Sequence, residues 1–526
     1  MTSSFPLYGQ SLALLTDLYQ LTMAYGYWKL GIAYREAVFH LSFRRQPFDS
    51  GFSIACGLQS AIDFIQQFHF SEDDLTYLAT LRGEDGNPLF EKTFLDHLRT
   101  LRLTCDIDAI PEGTVVFPHE PLVRVKGSLL QCQLLETVLL NMLNFSTLIA
   151  TKAARICMAA RGEPVLEFGL RRAQAIDGAL TASRAAYVGG CAATSNVLAG
   201  KLFGIPVKGT HAHSWVMSFD SEPEAFDAYA RVMPNNVVLL VDTYDTLEGV
   251  RHAAEVGRHL HARGHRLAGI RLDSGDLAYL SIEARKILDA AGLTDTAILA
   301  SNDLDENIIR SLKDQGATIN VWGVGTKLVT AYDQPALGGV YKLSALRSAN
   351  AAGGGGGAWE HKIKLSEQLA KTSVPGILQV RRYKVGGEFR ADMIVDELRT
   401  AGASPAVSAD WSAPTQPGSG ADSLPHDAKG PNAGAIMIDP MDATRRKVIA
   451  AHTEYEDLLI PIFRRGNLVY DLPTLPAIRT RTQQQLASLH PSIKRPMNPH
   501  QYPVGLEKSL HDLRQQMILH ERGVVV

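Results

Sequence analysis

From about Val165 the chain alternates between short apolar runs that end in polar residues and longer stretches with apolar positions every three or four residues. The runs PVLEFG, GIPVKGT, NVVLLVDTYD, RLAGIRLDSGD, AILASNDLD and TINVWGVGT have the composition of strands, whereas TLEGVRHAAEVGRHLHARG and LAYLSIEARKILDAAG carry a helical period. Strands alternating with helices imply parallel βαβ units, and a run as uniformly apolar as Val237 to Val241 implies burial on both faces. Such a sheet can stay open or close. Nearly every run delivers charged or small polar residues at its C-terminal tip, which is how a (β/α) barrel assembles a site from several strands, so closure is expected.

The flanking regions have a different texture. TDLYQLTMAYGYWKLG, Thr16 to Gly31, predicts a helix capped by Thr16 or Asp17 and ended by Gly31; EAVFHLSFRR predicts a strand. LTCDIDAIPEGTVVFPHEPLVRVKGSL holds short β-rich runs broken by Pro and Gly, and LLETVLLNMLNFSTLIATKAARICMAA is a long apolar helical stretch. Late in the chain, GILQVRRYKVGGEFRADMIVDE and RRKVIAAHTEYEDLLIPIFRRGNLVYDLP predict strands and VGLEKSLHDLRQQMILHERG a terminal helix. The run Gly353 to Gly357 and the Ala/Pro/Gly/Ser-rich segment Thr400 to Ala435 are poor core material and predict flexible loops. The expected fold class is α/β: an α+β N-terminal domain (1–150), an irregular (β/α) barrel (151–385), and C-terminal strands and a helix (386–526) that pack back on the N-terminal domain and complete it, with a flexible loop at about 400–435.

Composition narrows the function classes. The chain is 45% hydrophobic and 20% charged, with 52 basic against 55 acidic residues, so no broad attraction to nucleic acid or membrane is expected. Five scattered cysteines without C-x-x-C spacing support neither a disulfide framework nor a zinc knuckle and fit a reducing cytosol. No basic segment with a cleavable apolar run opens the chain, and no stretch reaches the ~18 uninterrupted apolar residues of a span. A cytoplasmic protein is expected.

The strand tips hold the candidate chemistry. In NVWGVGTKLVT, Gly323 and Gly325 free backbone N–H groups for an anion and Thr326 adds a hydroxyl, though such glycines equally serve a tight strand-to-helix turn. Ser301 and Asn302 occupy the neighbouring tip. Asp242 and Asp273 follow apolar strands, with Arg271 on the same side as Asp273; alternatively these aspartates cap the next helices. Arg171 and Arg172 directly follow a strand, placed for phosphate or carboxylate unless they are merely solvated. In VKGTHAHSWVMSF, His211 and His213 could chelate a metal, serve structurally, or supply one neutral imidazole as nucleophile with Asp242, Thr210, Ser214 and Arg171 around it.

Taken together, LLTDLYQLTMAYGYW, EFGLRRAQAIDGALTASRAAYVGGCAATSNVLAG, GTHAHSWV, VDTYDT, RLDSGDL, SNDLDE, NVWGVGTKLVT, LGGVYKL and AKTSVPG resemble, in this order, the motifs of nicotinate phosphoribosyltransferases. The resemblance runs from about residue 12 to 380 and weakens after about 385. It implies a type II phosphoribosyltransferase acting as a homodimer with its site between subunits. The implied reaction joins nicotinate and phosphoribosyl pyrophosphate into nicotinate mononucleotide and pyrophosphate, the first step of NAD salvage from nicotinate, coupled to ATP hydrolysis with Mg2+ on the phosphates. His213 would take the ATP γ-phosphate as a phosphohistidine, with Asp242 orienting its ring. Tyr19 of the partner subunit would stack on the pyridine ring, and Thr210 and Arg271 would hold its carboxylate or position it. Arg171, Ser214, Gly323, Gly325 and Thr326 would bind phosphate or phosphoribosyl groups, and Asp273 would contact ribose or metal. Two alternatives stand beside this: a nicotinamide phosphoribosyltransferase, and a catalytically inactive phosphate-binding regulatory homologue.

Overall fold

A computed structural model describes residues 11–347, 357–400 and 434–523. The glycine run, except Gly357, and the segment 401–433 lie outside the described residues, and with them the loops expected there. In the central region six parallel strands form one curled sheet in the order Ala193–Thr194, Val165–Glu167, Val321–Val324, Ala297–Asn302, Leu267–Leu272, Val237–Leu240. The helices Thr246–Ala262, Leu277–Ala290 and Glu306–Asp314 alternate with the last of these strands, as the apolar periodicity predicts. Val237, Leu239 and Leu240 are fully buried, as expected of a strand covered on both faces.

One expected strand is absent. GIPVKGT contributes only a parallel bridge from Val207 to Thr194, because Pro206 has no N–H to donate and Gly204 turns the chain at φ +69°. Thr194 N–H donates to Pro206 O and Lys208 N–H to Thr194 O, both at 3.0 Å, and there the backbone ladder stops. Side chains carry the sheet across the remaining gap. Thr210 Oγ1 donates to Val238 O at 2.6 Å, and Leu240 N–H donates to His211 Nε2 at 3.2 Å. The segment around Thr210 thus links the first edge strand to the last and completes an irregular barrel.

His211 is built for that contact. Its ring is 8% exposed, packs edge-on against Tyr229 with centroids 4.8 Å apart, and places Nδ1 3.3 Å from Ala212 O. Burial pushes its pKa down to about 4, and the Arg271 charge adds to the effect. The imidazole is therefore neutral, with its proton on Nδ1 and a bare Nε2 able to accept. His211 and His213 do not form a chelating pair, since Nε2 of the first is turned to the seam.

The N-terminal domain is a seven-stranded antiparallel sheet in the order Trp359–His361, Gly339–Arg347, Glu36–Phe43, Val123–Ser128, Asp106–Ala109, Ile460–Arg464, Asn467–Leu468. Two of these strands, Ile460–Arg464 and Asn467–Leu468, come from the late segment, but two others, Gly339–Arg347 and Trp359–His361, come from residues expected in the barrel (151–385), so the barrel ends earlier than its expected bound. A further six-stranded mixed sheet, Arg446–Ile449, Ala435–Ile438, Val504–Glu507, Glu388–Asp396, Leu378–Val385, Tyr455–Asp457, is built wholly from late residues. Within the expected terminal helix, Val504–Glu507 is drawn into this sheet and only Lys508–Glu521 is helical, capped by the Glu507 carboxylate.

Glu136–Ala159 is the central helix of the molecule. Its most apolar stretch would pass for a membrane span by length and composition, but 67% of that window is buried in protein. The first helix runs Leu18–Lys29; Asp17 holds the N-cap position, but its carboxylate accepts from Thr137 Oγ1 at 3.0 Å rather than from the backbone.

Two stability tests follow from these contacts. Gly189, just after the helix Ala175–Val188, is so close to the central helix that an added Cβ would lie 2.3 Å from Ala150 O, although its φ of −69° suits any residue. Gly189→Ala is expected to cost about 1–3 kcal/mol by overpacking, read from the urea midpoint. His211→Leu leaves the Leu240 N–H unpaired and is expected to cost about 1–3 kcal/mol, with His211→Gln costing less. The folded pKa of His211 lies below its unfolded value of ~6.5, so as pH falls from there towards 4 the unfolded chain gains a proton the folded chain does not. Its stabilising share is full above that window and lost as pH falls through it. A pH series of thermal midpoints should therefore be flatter on the acid side for His211→Gln than for wild type.

Candidate active site

The barrel strands present their tips in one arc. Three tips use an acidic residue to cap the following helix: Asp245, Asp276 and Asp305 each accept from backbone N–H groups of the first turn. Asp242 and Asp273, three residues earlier in their tips, are thereby released from capping. Asp242 Oδ2 accepts from Asp273 N–H at 2.9 Å and Ser274 Oγ at 2.6 Å, while its Oδ1 is buried without a hydrogen bond. Asp273 accepts from Ser301 Oγ through one oxygen and has the other 3.9 Å from His213 Nε2.

Arg271 enters the same cluster from the strand Leu267–Leu272. Its Nε is buried without a partner, and it has no ion pair within 4 Å among the described residues. Burial pushes its guanidinium below the ordinary range, the Asp273 and Asp242 charges oppose this, and the like charge of Arg171 reinforces it. Arg271 thus keeps a guanidinium N–H without a partner near a second guanidinium, Arg171, an arrangement suited to an anion.

Arg171 reaches the arc from the turn Leu170–Arg172 after the strand Val165–Glu167, and it is exposed, as is Arg172. Glu167, 1% exposed, shapes that turn by accepting from Gly169 N–H, from Ser183 Oγ at 2.8 Å and from Thr194 Oγ1 at 2.6 Å. Gly169 has no room for a side chain, since a Cβ would stand 2.3 Å from Val329.

His213 begins the short helix His213–Val216 and is 41% exposed at its side chain. The expected contact from Asp242 to its ring is not formed. Nδ1 lies 3.2 Å from Thr243 Oγ1 instead, because Asp242 is turned to the Asp273–Ser274 backbone. Ser214 is exposed beside it. Thr210, expected at the pyridine carboxylate, has its hydroxyl proton committed to Val238 O, so it can offer a ligand only lone pairs.

At the next tips the two glycines separate in role. Gly323 sits in the ladder between Leu166 and Ser301, and a Cβ there would stand 2.7 Å from the Phe168 ring. Its missing side chain serves packing. Gly325 and Thr326 lie past the strand, and among the described residues neither their N–H groups nor Thr326 Oγ1 has a hydrogen-bond partner. Lys327 follows, paired with Asp305 at 2.8 Å. Tyr19 stands apart: it is 48% exposed, and Glu136, Gln20, Asp17 and Thr137, which act on its hydroxyl, all belong to the N-terminal domain.

Among the described residues no group of three or more His, Cys, Asp or Glu side chains is placed to hold a metal ion by itself. Thr243, Ser274 and Glu167 are the site-shaping residues the sequence did not single out. Thr243 and Ser274 each directly follow one of the mouth aspartates, and that adjacency is the signal that could have found them.

Known proteins match this chain along most of its length. Residues 14–144 match the nicotinate phosphoribosyltransferase N-terminal domain, 164–392 the nicotinate phosphoribosyltransferase family, and 419–514 the nicotinate phosphoribosyltransferase C-terminal domain. The likeness thus continues past residue 385, where the motifs thin out. The nicotinate phosphoribosyltransferase of Bacillus subtilis (strain 168) is 42% identical over 97% of this chain and 96% of its own, and that of Homo sapiens 34% identical over 95% of each. The crystal structure of human nicotinic acid phosphoribosyltransferase superimposes with a TM-score of 0.76 at 32% identity, covering 95% of this chain and 99% of that one. A nicotinate-nucleotide pyrophosphorylase from Pyrococcus furiosus, at 20% identity and a TM-score of 0.63, shares the fold. This chain belongs to the nicotinate phosphoribosyltransferase family.

Proposed function

We propose that this protein condenses nicotinate with 5-phosphoribosyl 1-diphosphate to nicotinate mononucleotide and diphosphate, coupled to ATP hydrolysis through a phosphohistidine, as a cytoplasmic step of NAD salvage. The observation that carries the reading is the buried Arg271, its Nε unpartnered, gathered with Arg171, Asp242, Asp273 and the exposed ring of His213 at one set of strand tips. Arg271 receives the pyridine carboxylate, and Thr210, whose hydroxyl donates to Val238 O, fixes the seam beside the ring. Arg171, Ser214 and the free N–H groups at Gly325 and Thr326 receive phosphate oxygens, with Gly323 allowing that turn its close packing on Phe168. The pyridine nitrogen then attacks the anomeric carbon while the bond from that carbon to the diphosphate oxygen breaks. Positive charge grows on the ribose ring beside Asp273, and negative charge leaves with the diphosphate. Mg2+ would be held by Asp273 and the unpartnered Asp242 oxygen together with phosphate oxygens, a hard-oxygen set that suits it, and supplies charge neutralisation when bound.

In the coupled step, Nε2 of His213 attacks the γ-phosphorus of ATP and the bond to the ADP oxygen breaks. Nδ1 lies 3.2 Å from Thr243 Oγ1, and a proton kept there leaves the lone pair on Nε2. Tyr19 lies outside the mouth of its own chain, on a helix whose Leu18, Tyr19 and Met23 are all exposed with Leu15 just before it. A second copy would bury this apolar stripe and bring Tyr19 of the partner subunit over the pyridine ring.

Three outcomes are expected. Incubation with γ-labelled ATP should place acid-labile phosphate on His213, with none in His213→Ala; absence of label on any histidine refutes the coupling while leaving ring condensation open. Arg271→Ala should lower kcat/KM for nicotinate by about 100-fold or more while narrowing the preference over nicotinamide, since a desolvated charge pair is at stake. Mixing Tyr19→Ala and His213→Ala chains should restore up to about a quarter of wild-type activity, because half the dimers would carry one intact shared site. No recovery would assign Tyr19 to the site of its own chain or to none.

A further inference from the structure

Outside the barrel mouth, a cavity of about 280 Å3 opens between the central helix Glu136–Ala159, the barrel helix Glu306–Asp314 and the C-terminal segment around Lys494. Phe52, Met158 and Pro496 supply apolar wall. Four cations also line it, Arg155, Arg161, Arg310 and Lys494, and Glu306 is the one carboxylate among the lining residues. No residue placed above at the barrel mouth borders it.

The cations are incompletely matched. Glu306 accepts from Arg155 Nε at 2.8 Å and lies 2.9 Å from the buried Lys152 Nζ, whose other partner is Asp333 at 2.6 Å. Asp314 stands 2.7 Å from Arg161 and only 3.8 Å from Arg310. Lys494 donates to Leu486 O at 2.6 Å and has no carboxylate within 4 Å among the described residues. With Lys152 balanced by Asp333, the two carboxylates Glu306 and Asp314 leave two of the four cavity cations without counter-charge, which is the charge of one phosphate monoester dianion. Arg155 is only 8% exposed; it commits Nε to Glu306 and makes a long Nη2 contact to Pro496 O at 3.5 Å, so Nη1 has no partner among the described residues.

The backbone adds an independent sign. Arg161 sits at φ +53° in the turn that ends the central helix, beside Gly162 at φ +95°. A large side chain in the left-handed region is strained, and here the strained position is the one that carries a guanidinium to the cavity.

We propose that this cavity is a binding site for an organic phosphate monoester with a flat or apolar body, separate from the barrel mouth. Guanidinium forks match phosphate oxygens, the surplus charge matches a dianion, and the Phe52, Met158 and Pro496 wall accepts the body, at a junction of domains where such sites commonly form.

The test uses the full chain and 1-naphthyl phosphate as probe, followed by calorimetric titration, with inorganic phosphate and 1-naphthol as the two halves of the ligand. One saturable site per chain is expected, with each half binding at least about tenfold more weakly than the whole. The double variant Arg310→Glu/Lys494→Glu should weaken the probe by at least about tenfold with unchanged basal activity. Met158→Trp, which fills the cavity without altering its charge, should weaken it likewise. Absence of saturable binding overturns the proposal. So does unchanged affinity in both variants, which would put the probe elsewhere, or equal affinity for either half-ligand.

Discussion

Two side-chain hydrogen bonds stand where a parallel sheet would need a seventh backbone ladder. A parallel barrel is stable only if every strand edge is satisfied, and the Pro206-containing run cannot supply a continuous row of donors. Thr210 gives a proton to Val238 and His211 takes one from Leu240, so the edge is satisfied by one donor and one acceptor of complementary sense. The same two strand ends carry candidate site residues: His213 lies two residues beyond His211, and Asp242 two residues beyond Leu240. The seam therefore fixes how far apart the two sides of the mouth stand. A charged His211 could not accept from the backbone, so burial, which keeps the ring neutral, is a condition of closure as well as a consequence of packing.

A second regularity explains why the mouth has free carboxylates at all. The tips Asp242–Asp245 and Asp273–Asp276 carry two acidic residues three apart, and Asn302–Asp305 repeats the spacing with an amide first. In each, the later residue caps the helix; Asp242 and Asp273 are left to the mouth, whereas Asn302 Oδ1 accepts from Asp303 N–H at 2.8 Å. An N-cap satisfies otherwise orphaned donors of the first turn and is worth ~1 kcal/mol; with that duty met by a neighbour, Asp242 and Asp273 can remain partly unsatisfied. Competition between capping the helix and lining the mouth is settled by duplication within these two acidic tips.

Much of this was legible in the sequence, and the failures have physical causes. Apolar periodicity located the barrel strands at Val237, Leu267, Ala297 and Val321 and the helices between them because burial on both faces leaves little room for any other pattern. The seam was misassigned as a strand: GIPVKGT has strand-like composition, and only the partner edge decides that its bonds come from side chains. The six-stranded late sheet was also hidden, since its register depends on pairings such as Asp392 with Val504, more than a hundred residues apart in sequence. At the candidate site, residue types at strand tips singled out Arg271, Asp273 and His213, which the structure brings together, but which group touches which nitrogen depends on side-chain rotation. Thr243 rather than Asp242 holds His213 for that reason.

The mouth is thus a place where stability is given up locally. Arg271 is buried with an unpartnered Nε, Asp242 with an unpartnered Oδ1, and neither arrangement would survive in a core selected for stability alone. The surrounding structure makes such defects tolerable. Glu167 satisfies three donors under the Arg171 turn, Gly169 and Gly323 admit close packing of Val329 and Phe168, and the central helix anchors the barrel through the Arg155 and Lys152 contacts to Glu306. Those last contacts begin the helix whose cap, Asp305, holds Lys327 next to the free Thr326 hydroxyl. Rigidity thereby reaches the turn at Gly325 and Thr326, whose free donors are held in place by groups remote from the mouth.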